Sequence, residues 1–407
     1  MRRNEKEVAK WVGVLVTCIV VLWMGSAHGE TIYVPDHYDT IQKATDMAVA
    51  GDIIIVRDGV YRSNANVIFA FQEKNITIKS ENGPKGCILD GENTCPGGIS
   101  LMDLPGSRET IISGFTLINF KDGGISCYRA SPVIENCVIM NNSSRNLAGA
   151  GISLYRSSPL IRNCTISNNS TISGSGGGGI HCFGGSPTIT NCIISGNSSD
   201  KDEGGGISIL VSQPTISNCY ISDNTAKSFG GGISMRGSFS ASIVNCVITG
   251  NKAGSGGGIY ADHSTPKITN STIAMNHKDG IRLLRNADSI VTNCIIWDSK
   301  HSISMPIWGE NLMHPRPVVT YSNVRGGFKG TGNIDGDPSF MDPENGDFHL
   351  KYNSPCINAG ANDAPGLGLT DLSGNPRISD TSVDMGAYEY QDGASTGSRE
   401  DVHVETR

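Results

Sequence analysis

The sequence predicts an all-β chain wound into a parallel β-helix, a solenoid with three strands in each turn. Two phrases alternate through the middle of the 407-residue chain, a glycine-led phrase such as GGGI and a proline-led phrase such as SPTITNCIISGN (Ser186–Asn197). They return about every 27 residues, which is typical of one solenoid turn. The composition suits many short strands and turns, because glycine is frequent (51 residues) and charged residues make up only 17%.

The first elements are a targeting segment and a cap. Basic residues precede an apolar run from Trp11 to Met24 and then a stretch of small residues, so residues 1–29 are expected to be a secretory signal peptide, with a retained N-terminal anchor as the alternative. In the next segment, 30–122, a helix from Ile41 to Ala50 should cover the first turn of the coil, where unpaired strand edges invite association. We therefore expect a secreted or cell-surface protein without a transmembrane segment in the mature chain.

The regular repeats occupy residues 123–300, and each period contains three strand candidates, which follow the glycines, the proline and the Asn-Cys pair. Each strand supplies one isoleucine, and stacking of turns at about 4.8 Å places these side chains in three inward columns. The asparagine before each cysteine should form a bend, since asparagine tolerates the left-handed backbone region. The cysteine column should consist of small buried residues, while a disulfide between Cys87 and Cys95 remains open.

The C-terminal elements are expected to be a cap and a tail. Residues 301–390 are rich in turn residues, and the part from 331 to 390 holds 2 basic against 10 acidic side chains, a difference of −8. This composition indicates an irregular cap rather than further coil. Residues 391–407 are polar and are expected to be disordered.

These words together resemble a known family. The GGGI and SPTITNCIISGN repeats and the C-terminal words DPSF, GDFHL, SPCINAG, GNPR and VDMGAYEY are similar to exported right-handed β-helix proteins of the pectin-lyase-like superfamily, over roughly residues 30–390. The ending resembles the choice-of-anchor Q group. The resemblance and the handedness of parallel crossovers imply a right-handed coil. They do not specify an activity, because this fold hosts lyases, hydrolases, epimerases, esterases and adhesins. The Asp-Pro-His-Asp word of alginate epimerases is absent, and so are three of the four words of polygalacturonases.

The outward positions of the glycine-led strands hold the candidate binding residues. Aromatic rings can stack on sugar faces, and arginine forks can hold carboxylates. A saccharide running along the coil axis is expected to meet, in turn, Tyr128, Tyr155, His181, Phe183, Arg236, Tyr260 and Arg282. The alternative is an ordinary strand surface with a cross-strand Arg236–Asp262 ion pair.

A smaller group on neighbouring turns is the candidate catalytic site. Glycoside hydrolysis generally needs two carboxyl groups about 5 to 9.5 Å apart, and Asp262 and Asp279 are the predicted pair. A uronate lyase instead needs a base and a cation that stabilises the substrate carboxylate, roles for which His263 and Arg282 are the candidates.

One acidic loop is the candidate metal site. Asp200, Asp202 and Glu203 lie together before a glycine run, and oxygen ligands of this kind favour Ca²⁺. The alternative is a solvated loop. The sequence indicates no other cofactor.

Charge and motifs narrow the function. The net charge is −7 and no phosphate-binding loop is present, so neither a nucleic-acid partner nor a cytosolic nucleotide enzyme is expected. Residues 123–300 nevertheless hold 13 basic against 9 acidic side chains, a difference of +4 that favours an acidic polymer. The favoured hypothesis is a monomeric secreted protein that binds, and as a lyase or glycoside hydrolase cleaves, an extracellular acidic polysaccharide. The alternative is a non-enzymatic surface adhesin or a structural scaffold.

Overall fold

Three long parallel sheets run side by side along the axis of a coil, as the sequence predicts. The computed structural model describes residues 29–106, 108–145, 148–172, 176–201, 203–298, 301–305 and 314–391. The predicted signal peptide and tail therefore lie almost entirely outside the described residues. Each sheet is named below after the residues that precede its strands in the repeat, and successive turns place equivalent strands next to each other.

The strands of the three sheets are short and in parallel register, and the bounds that follow refer to the described residues. The glycine-led sheet contains Val67–Gln72, Gly97–Met102, Ile125–Tyr128, Ile152–Tyr155, Ile180–Phe183, Ile207–Leu210, Ile233–Arg236, Ile259–Asp262, Asp279–Leu284 and His301–Ser304. The proline-led sheet contains Thr31–Val34, Ile53–Val56, Thr77–Ser80, Ile111–Ser113, Val133–Glu135, Leu160–Arg162, Thr188–Thr190, Thr215–Ser217, Ser242–Val244, Lys267–Thr269, Ile290–Thr292 and Val318–Thr320. The cysteine-led sheet contains Gly59–Tyr61, Cys87–Asp90, Thr116–Ile118, Val138–Met140, Thr165–Ser167, Ile193–Ser195, Tyr220–Ser222, Val247–Thr249, Thr272–Ala274, Ile295–Trp297 and Asn323–Val324.

Smaller elements complete the architecture. A fourth ladder of two-residue strands lies between the cysteine-led and glycine-led sheets, and it consists of Ser143–Ser144, Ser170–Thr171, Ser198–Ser199 and Thr225–Ala226. An antiparallel hairpin near the C-terminus is built from Phe340–Asp342 and Asp347–Leu350, which are joined by the 3-10 helix Pro343–Asn345.

The core and the bends agree with the predicted columns. The isoleucines that lead the glycine-led strands are buried, and so is the second residue after each of them, for example Ile180 and Cys182. The asparagine of each Asn-Cys pair has a positive φ between 44° and 56°, the left-handed conformation predicted for the bends at Asn136, Asn163, Asn191, Asn218, Asn245, Asn270 and Asn293. The described cysteines are buried free thiols, including Cys87 and Cys95, so the structure has no disulfide between these two.

A second asparagine column, which the sequence analysis does not predict, runs inside the coil. It follows the cysteine-led strands and consists of Asn142, Asn169, Asn197, Asn224, Asn251 and Asn276, each at most 1% exposed. Each side chain accepts hydrogen bonds from the preceding turn and all but the last donate to the amide oxygen of the next, as Asn197 does to Asn224 Oδ1 at 3.0 Å. This asparagine ladder satisfies backbone groups that would otherwise be buried without partners.

The N-terminal cap is shorter than predicted. The helix covers Ile41–Met47 rather than extending to Ala50, because Ala48 adopts an extended backbone (ψ 144°) and Gly51 a positive φ of 94°. Thr40 caps the helix by accepting a hydrogen bond from the Lys43 N–H at 3.2 Å. Inside the helix, Gln42 accepts from the Ala70 N–H at 2.8 Å and donates to the Ala70 carbonyl at 3.0 Å. The glutamine therefore replaces a missing neighbour strand at the edge of the glycine-led sheet.

The C-terminal segment covers a side of the coil as well as its end. Phe328 packs against the last turns of the inner core, in the position expected for a cap. Beyond it, Phe340, Phe348 and Met385 pack on Val247 and Ile295, which point outward from the cysteine-led sheet, and form a second apolar core. The segment therefore returns along this sheet and hides its outer face. Among the described residues, no helix is long and apolar enough to cross a membrane.

Candidate functional site

Three of the predicted binding residues form a stack of rings on the outer face of the glycine-led sheet. Tyr128, Tyr155 and Phe183 occupy equivalent positions on consecutive strands. The Tyr128 and Tyr155 ring centroids are 5.1 Å apart with 6° between the planes, and the Tyr155 and Phe183 centroids are 5.0 Å apart with 8°. Because these spacings match the distance between strands, the rings lie face to face along the coil axis.

The ring stack presents edges to solvent instead of faces. Both faces of Tyr155 are covered, one by Tyr128 and the other by Phe183. A sugar therefore cannot stack on the Tyr155 face as expected, although the ring edges and the phenol hydroxyls remain accessible. Tyr128, at the end of the stack, is the most open of the three with 38% exposure.

Two arginines that the sequence analysis did not select accompany the ring stack. The Arg129 guanidinium lies over the Tyr128 ring at 5.2 Å from the centroid, and the Arg156 guanidinium lies over the Tyr155 ring at 5.5 Å. Arg129 also makes an ion pair with Asp103 at 2.5 Å. Arg156 is exposed and makes no ion pair within the described part of the chain. Its cation–π contact orients the guanidinium without neutralising its charge.

Farther along the sheet, Arg236 is held by a carboxylate and two rings. Its Nη1 lies 2.6 Å from Glu203 Oε1, and the other Glu203 oxygen accepts a hydrogen bond from Ser234 Oγ at 2.8 Å. The Arg236 guanidinium lies 5.3 Å from the Phe229 centroid and 6.0 Å from the Tyr260 centroid. The expected Arg236–Asp262 ion pair is wrong, although the two residues are register neighbours, because Glu203 takes the guanidinium instead.

Two predicted contact residues are not exposed. Tyr260 is 1% exposed because its ring stacks on Phe229, with centroids 4.6 Å apart. Burial, with the nearby Asp262 charge, raises the pKa of the Tyr260 phenol above its ordinary value. His181 lies under the glycine-rich loop at Gly176, and burial lowers the pKa of this imidazole to about 4. Both side chains therefore support the surface from below, and His181 is uncharged at neutral pH.

Asp262 forms a second charged centre. Its carboxylate accepts a hydrogen bond from Arg285 Nε at 2.9 Å and lies 3.1 Å from His263 Nδ1, while its side chain is only 3% exposed. Arg285 and His263 reach outward from this buried anchor, and their side chains are 54% and 47% exposed. On the next strand, Arg282 donates to Ser304 Oγ at 3.2 Å.

The structure does not bring the predicted carboxyl pair together. Asp262 pairs in register with Leu284, whereas Asp279 lies five residues earlier on that strand. At about 3.3 Å per residue the two aspartates are roughly 16 Å apart along the strand direction, beyond the spacing that a glycosidase needs. Asp279 is also buried and accepts a hydrogen bond from the Gly256 N–H at 3.1 Å. These two residues therefore belong to opposite ends of the strand.

The predicted calcium loop is only partly described. Asp200 is exposed and Asp202 lies outside the described residues, while Glu203 turns inward to Arg236 and Ser234. In the part of the chain that the structure describes, no three His, Cys, Asp or Glu side chains converge as metal ligands. Calcium binding at this loop stays a prediction.

The residues that the sequence analysis missed follow a column that is visible in the repeats. The position after each glycine-led strand reads Arg129, Arg156, Gly184, Val211, Gly237, His263 and Arg285. Phe229 belongs to another column, just before the glycines, where it forms bridges to Glu203 and Ser255. Together with Arg236 and Arg282, three of these residues form a row of five arginines along the coil axis, called the arginine row below: Arg129, Arg156, Arg236, Arg282 and Arg285.

Comparison with known proteins agrees with this architecture. The family model described as right handed beta helix region matches residues 32–187 and 168–313, which is more than half of the chain. No curated protein matches the sequence.

The similar solved structures share the coil at low sequence identity. One is the crystal structure of pectate lyase Pel9A, which is 14% identical, with a TM-score of 0.54 over 86% of this chain and 90% of that chain. Another is the complex of XylC with xylose, which is 12% identical, with a TM-score of 0.46 over 89% of this chain and 99% of that chain. At these identities the likeness concerns the fold alone. The family match and the observed coil together show that this chain belongs to the right-handed β-helix family.

Proposed function

We propose that this protein binds an acidic polysaccharide outside the cell, along the outer surface of the glycine-led sheet. The observation that carries the proposal is the arginine row. It extends over six strand spacings, from the strand Ile125–Tyr128 to the strand Asp279–Leu284, or about 29 Å at about 4.8 Å each. The extracellular location rests on the predicted signal peptide, and the likeness of the ending to choice-of-anchor Q proteins also stays a prediction.

The charges of the row favour a carboxylated ligand. Five arginines lie on or beside this face, and three carboxylates pair with them, those of Asp103, Glu203 and Asp262. The difference is two positive charges, and Arg156 and Arg282 are the members without an ion pair among the described residues. A guanidinium fork binds carboxylates in a bidentate manner, which suits uronate units presented one after another along the axis.

Aromatic contacts strengthen this arrangement. Three of the five guanidinium groups lie over rings, which restricts their side chains before a ligand arrives. Restricted side chains lose less conformational entropy on binding than free ones. The edges of the ring stack then supply hydroxyl and apolar contacts between the charged positions.

For the cleavage of such a ligand, the arrangement supports β-elimination over hydrolysis. Hydrolysis requires two carboxyl groups at close range, and Asp262 and Asp279 do not meet this requirement. Elimination requires a base and a cation at the uronate carboxylate, and the exposed pair His263 and Arg285 lies beside the anchoring Asp262. A pectate lyase is among the proteins that share this fold, and by its name it acts on an acidic polysaccharide.

A retention assay tests the proposal. The chain from Glu30 onward is passed over immobilised polygalacturonate, alginate and a neutral galactan, with and without calcium. Reducing ends and the ultraviolet absorbance of unsaturated uronates are recorded. We expect retention on one of the acidic polymers and none on the galactan. Arg156→Ala should weaken retention about fivefold, which corresponds to about 1 kcal/mol for an exposed ion pair.

Arg162→Ala is the matched control, because Arg162 is an exposed arginine of the same turn on the proline-led sheet. Equal retention of both variants would show that the arginine row is not the binding surface. Failure to bind any acidic polymer would support the adhesin or scaffold hypothesis instead. Rising ultraviolet absorbance identifies a lyase, and reducing ends without it identify a hydrolase.

A further inference from the structure

A second groove lies on a different face of the molecule, where the returning C-terminal segment meets the cysteine-led sheet. It has a volume of about 460 Å³, which is within the range of small-molecule sites. Trp297 at the end of the strand Ile295–Trp297 forms one wall, and the hairpin region forms the other. The groove is lined by Trp297, Asp337, Ser339, Phe340, Met341, Asp342, Pro343, Lys351 and Asn353.

The tryptophan gives the groove an aromatic wall. Trp297 is partly buried against the second apolar core, and the Arg325 guanidinium lies 5.7 Å from its ring centroid. Among the rings of the described residues, Trp297 stacks on none, in contrast to the ring stack on the glycine-led sheet. Its surface toward the groove is therefore available to the apolar face of a sugar.

Two oriented carboxylates lie opposite this wall. Asp337 accepts a hydrogen bond from the Ser339 N–H at 2.9 Å, and Asp342 accepts one from Asn345 Nδ2 at 2.8 Å. Each of these bonds uses one carboxylate oxygen. The second oxygen of each accepts none from the residues that the structure describes, so it can accept from a ligand hydroxyl. Lys351 and Asn353 add donors on the same rim.

From this combination we infer that the groove binds a neutral, hydroxyl-rich sugar unit. The ring of the sugar packs on Trp297, its hydroxyl groups donate to Asp337 and Asp342, and its oxygens accept from Lys351 and Asn353. Two carboxylates against one lysine disfavour a uronate, because like charges across an interface weaken binding. The inference is independent of the arginine row, and the two surfaces select opposite classes of saccharide.

Tryptophan fluorescence tests the inference directly. The chain from Glu30 onward contains two tryptophans, Trp297 and Trp308, so the Trp308→Phe variant reports from the groove alone. It is titrated with cellotriose, mannotriose and trigalacturonate. We expect a saturable change with at least one neutral trisaccharide and none with trigalacturonate at the same concentration. In the same background, Asp342→Ala should raise the dissociation constant about tenfold through the loss of one charge-assisted hydrogen bond.

Asp363→Ala is the matched control, since Asp363 is an exposed aspartate of the same C-terminal segment that does not line the groove. An unchanged emission maximum of each unliganded variant verifies that the groove is intact. The inference is overturned if neither neutral sugar alters the emission, if trigalacturonate acts equally well, or if Asp342→Ala binds as tightly as the control.

Discussion

A single aspartate ends the asparagine ladder. Asp298 occupies the position after Asn276, and its Oδ1 accepts a hydrogen bond from the Asn276 N–H at 2.6 Å. Its other oxygen is buried without a partner in the described part of the chain. Burial raises the pKa of this carboxyl well above its ordinary value, and the nearby Asp279 adds to the effect. The fold therefore prefers the protonated acid, which resembles the amide that it follows.

Replacing this acid by an amide should stabilise the protein at neutral pH. Because the folded pKa of Asp298 is raised, its contribution to stability is present below the unfolded value of 3.8 and is lost as the pH rises toward the folded value. Asp298→Asn should increase the free energy of unfolding at pH 7 by about 1 kcal/mol, through one regained buried hydrogen bond. Urea denaturation measures this difference.

At pH 3.5 the gain should disappear, and the exposed Asp363→Asn should change little at either pH. A variant that is less stable than the parent at pH 7 would show that Asp298 is ionised and useful in the fold.

At the scale of the repeating elements, two asparagines of one period have different physical functions. Asn191 forms the bend before a cysteine, with φ of 52°. Asn197 belongs to the asparagine ladder and makes five hydrogen bonds, in which it accepts from Asn169 twice, donates to Asn224 twice and donates to the Ile166 carbonyl. The first residue is needed for its backbone freedom and the second for its amide.

Substitutions should separate these functions. Asn197→Ala should lower the free energy of unfolding by about 3 kcal/mol or more, since it leaves several buried groups unsatisfied. Asn191→Gly should be nearly neutral because glycine adopts the same backbone, whereas Asn191→Ala should cost about 1–2 kcal/mol. Chemical denaturation of the three variants gives the comparison. A large loss in Asn191→Gly would assign a side-chain function to the bend as well.

The cap helix should control association. Gln42→Ala removes the two hydrogen bonds that satisfy Ala70 at the edge of the glycine-led sheet. An unsatisfied strand edge favours pairing with another chain. We expect the variant to form oligomers in size-exclusion chromatography with light scattering as its concentration rises, while the parent and Lys43→Ala, with an exposed side chain in the same helix, remain monomeric. A monomeric Gln42→Ala protein would mean that the helix protects the edge by covering it alone.

At the scale of the whole molecule, the arginine row predicts a dependence on ligand length. On the proposed function, uronate oligomers should bind more tightly with each added unit until they cover the row of about 29 Å, and longer chains should gain little. Because the guanidinium groups are exposed, affinity should fall as salt rises. Calorimetric titration with oligogalacturonates of defined length measures both effects. Affinity that is independent of length would indicate a single local site.

Much of this architecture is predictable because it is periodic. The buried isoleucine columns, the bends at Asn-Cys and the position of the cap helix all follow from local residue preferences repeated turn after turn. Each turn contacts only its neighbours, so a pattern read in one period holds in the next. The ring stack follows from the same logic, since Tyr128, Tyr155 and Phe183 occupy one column.

The sites were less predictable, because they depend on partners that are distant in sequence. Glu203 takes Arg236 from the expected partner Asp262, and Asp262 turns instead to Arg285. Tyr260 and His181 stand at outward positions but are covered by Phe229 and by the loop at Gly176. A column assigns a direction to a side chain, but not the loop that lies over it.

The sequence by itself therefore determined the coil, its period, its three inward columns and its acidic C-terminal segment, since each depends on short-range patterns that recur. Only the tertiary structure decided which outward residues stay exposed and which charges pair. It also revealed that the C-terminal segment folds back over the cysteine-led sheet and creates the groove at Trp297. The physical reason is that these outcomes arise from packing between segments that no local pattern connects, so competition among partners selects the final contacts.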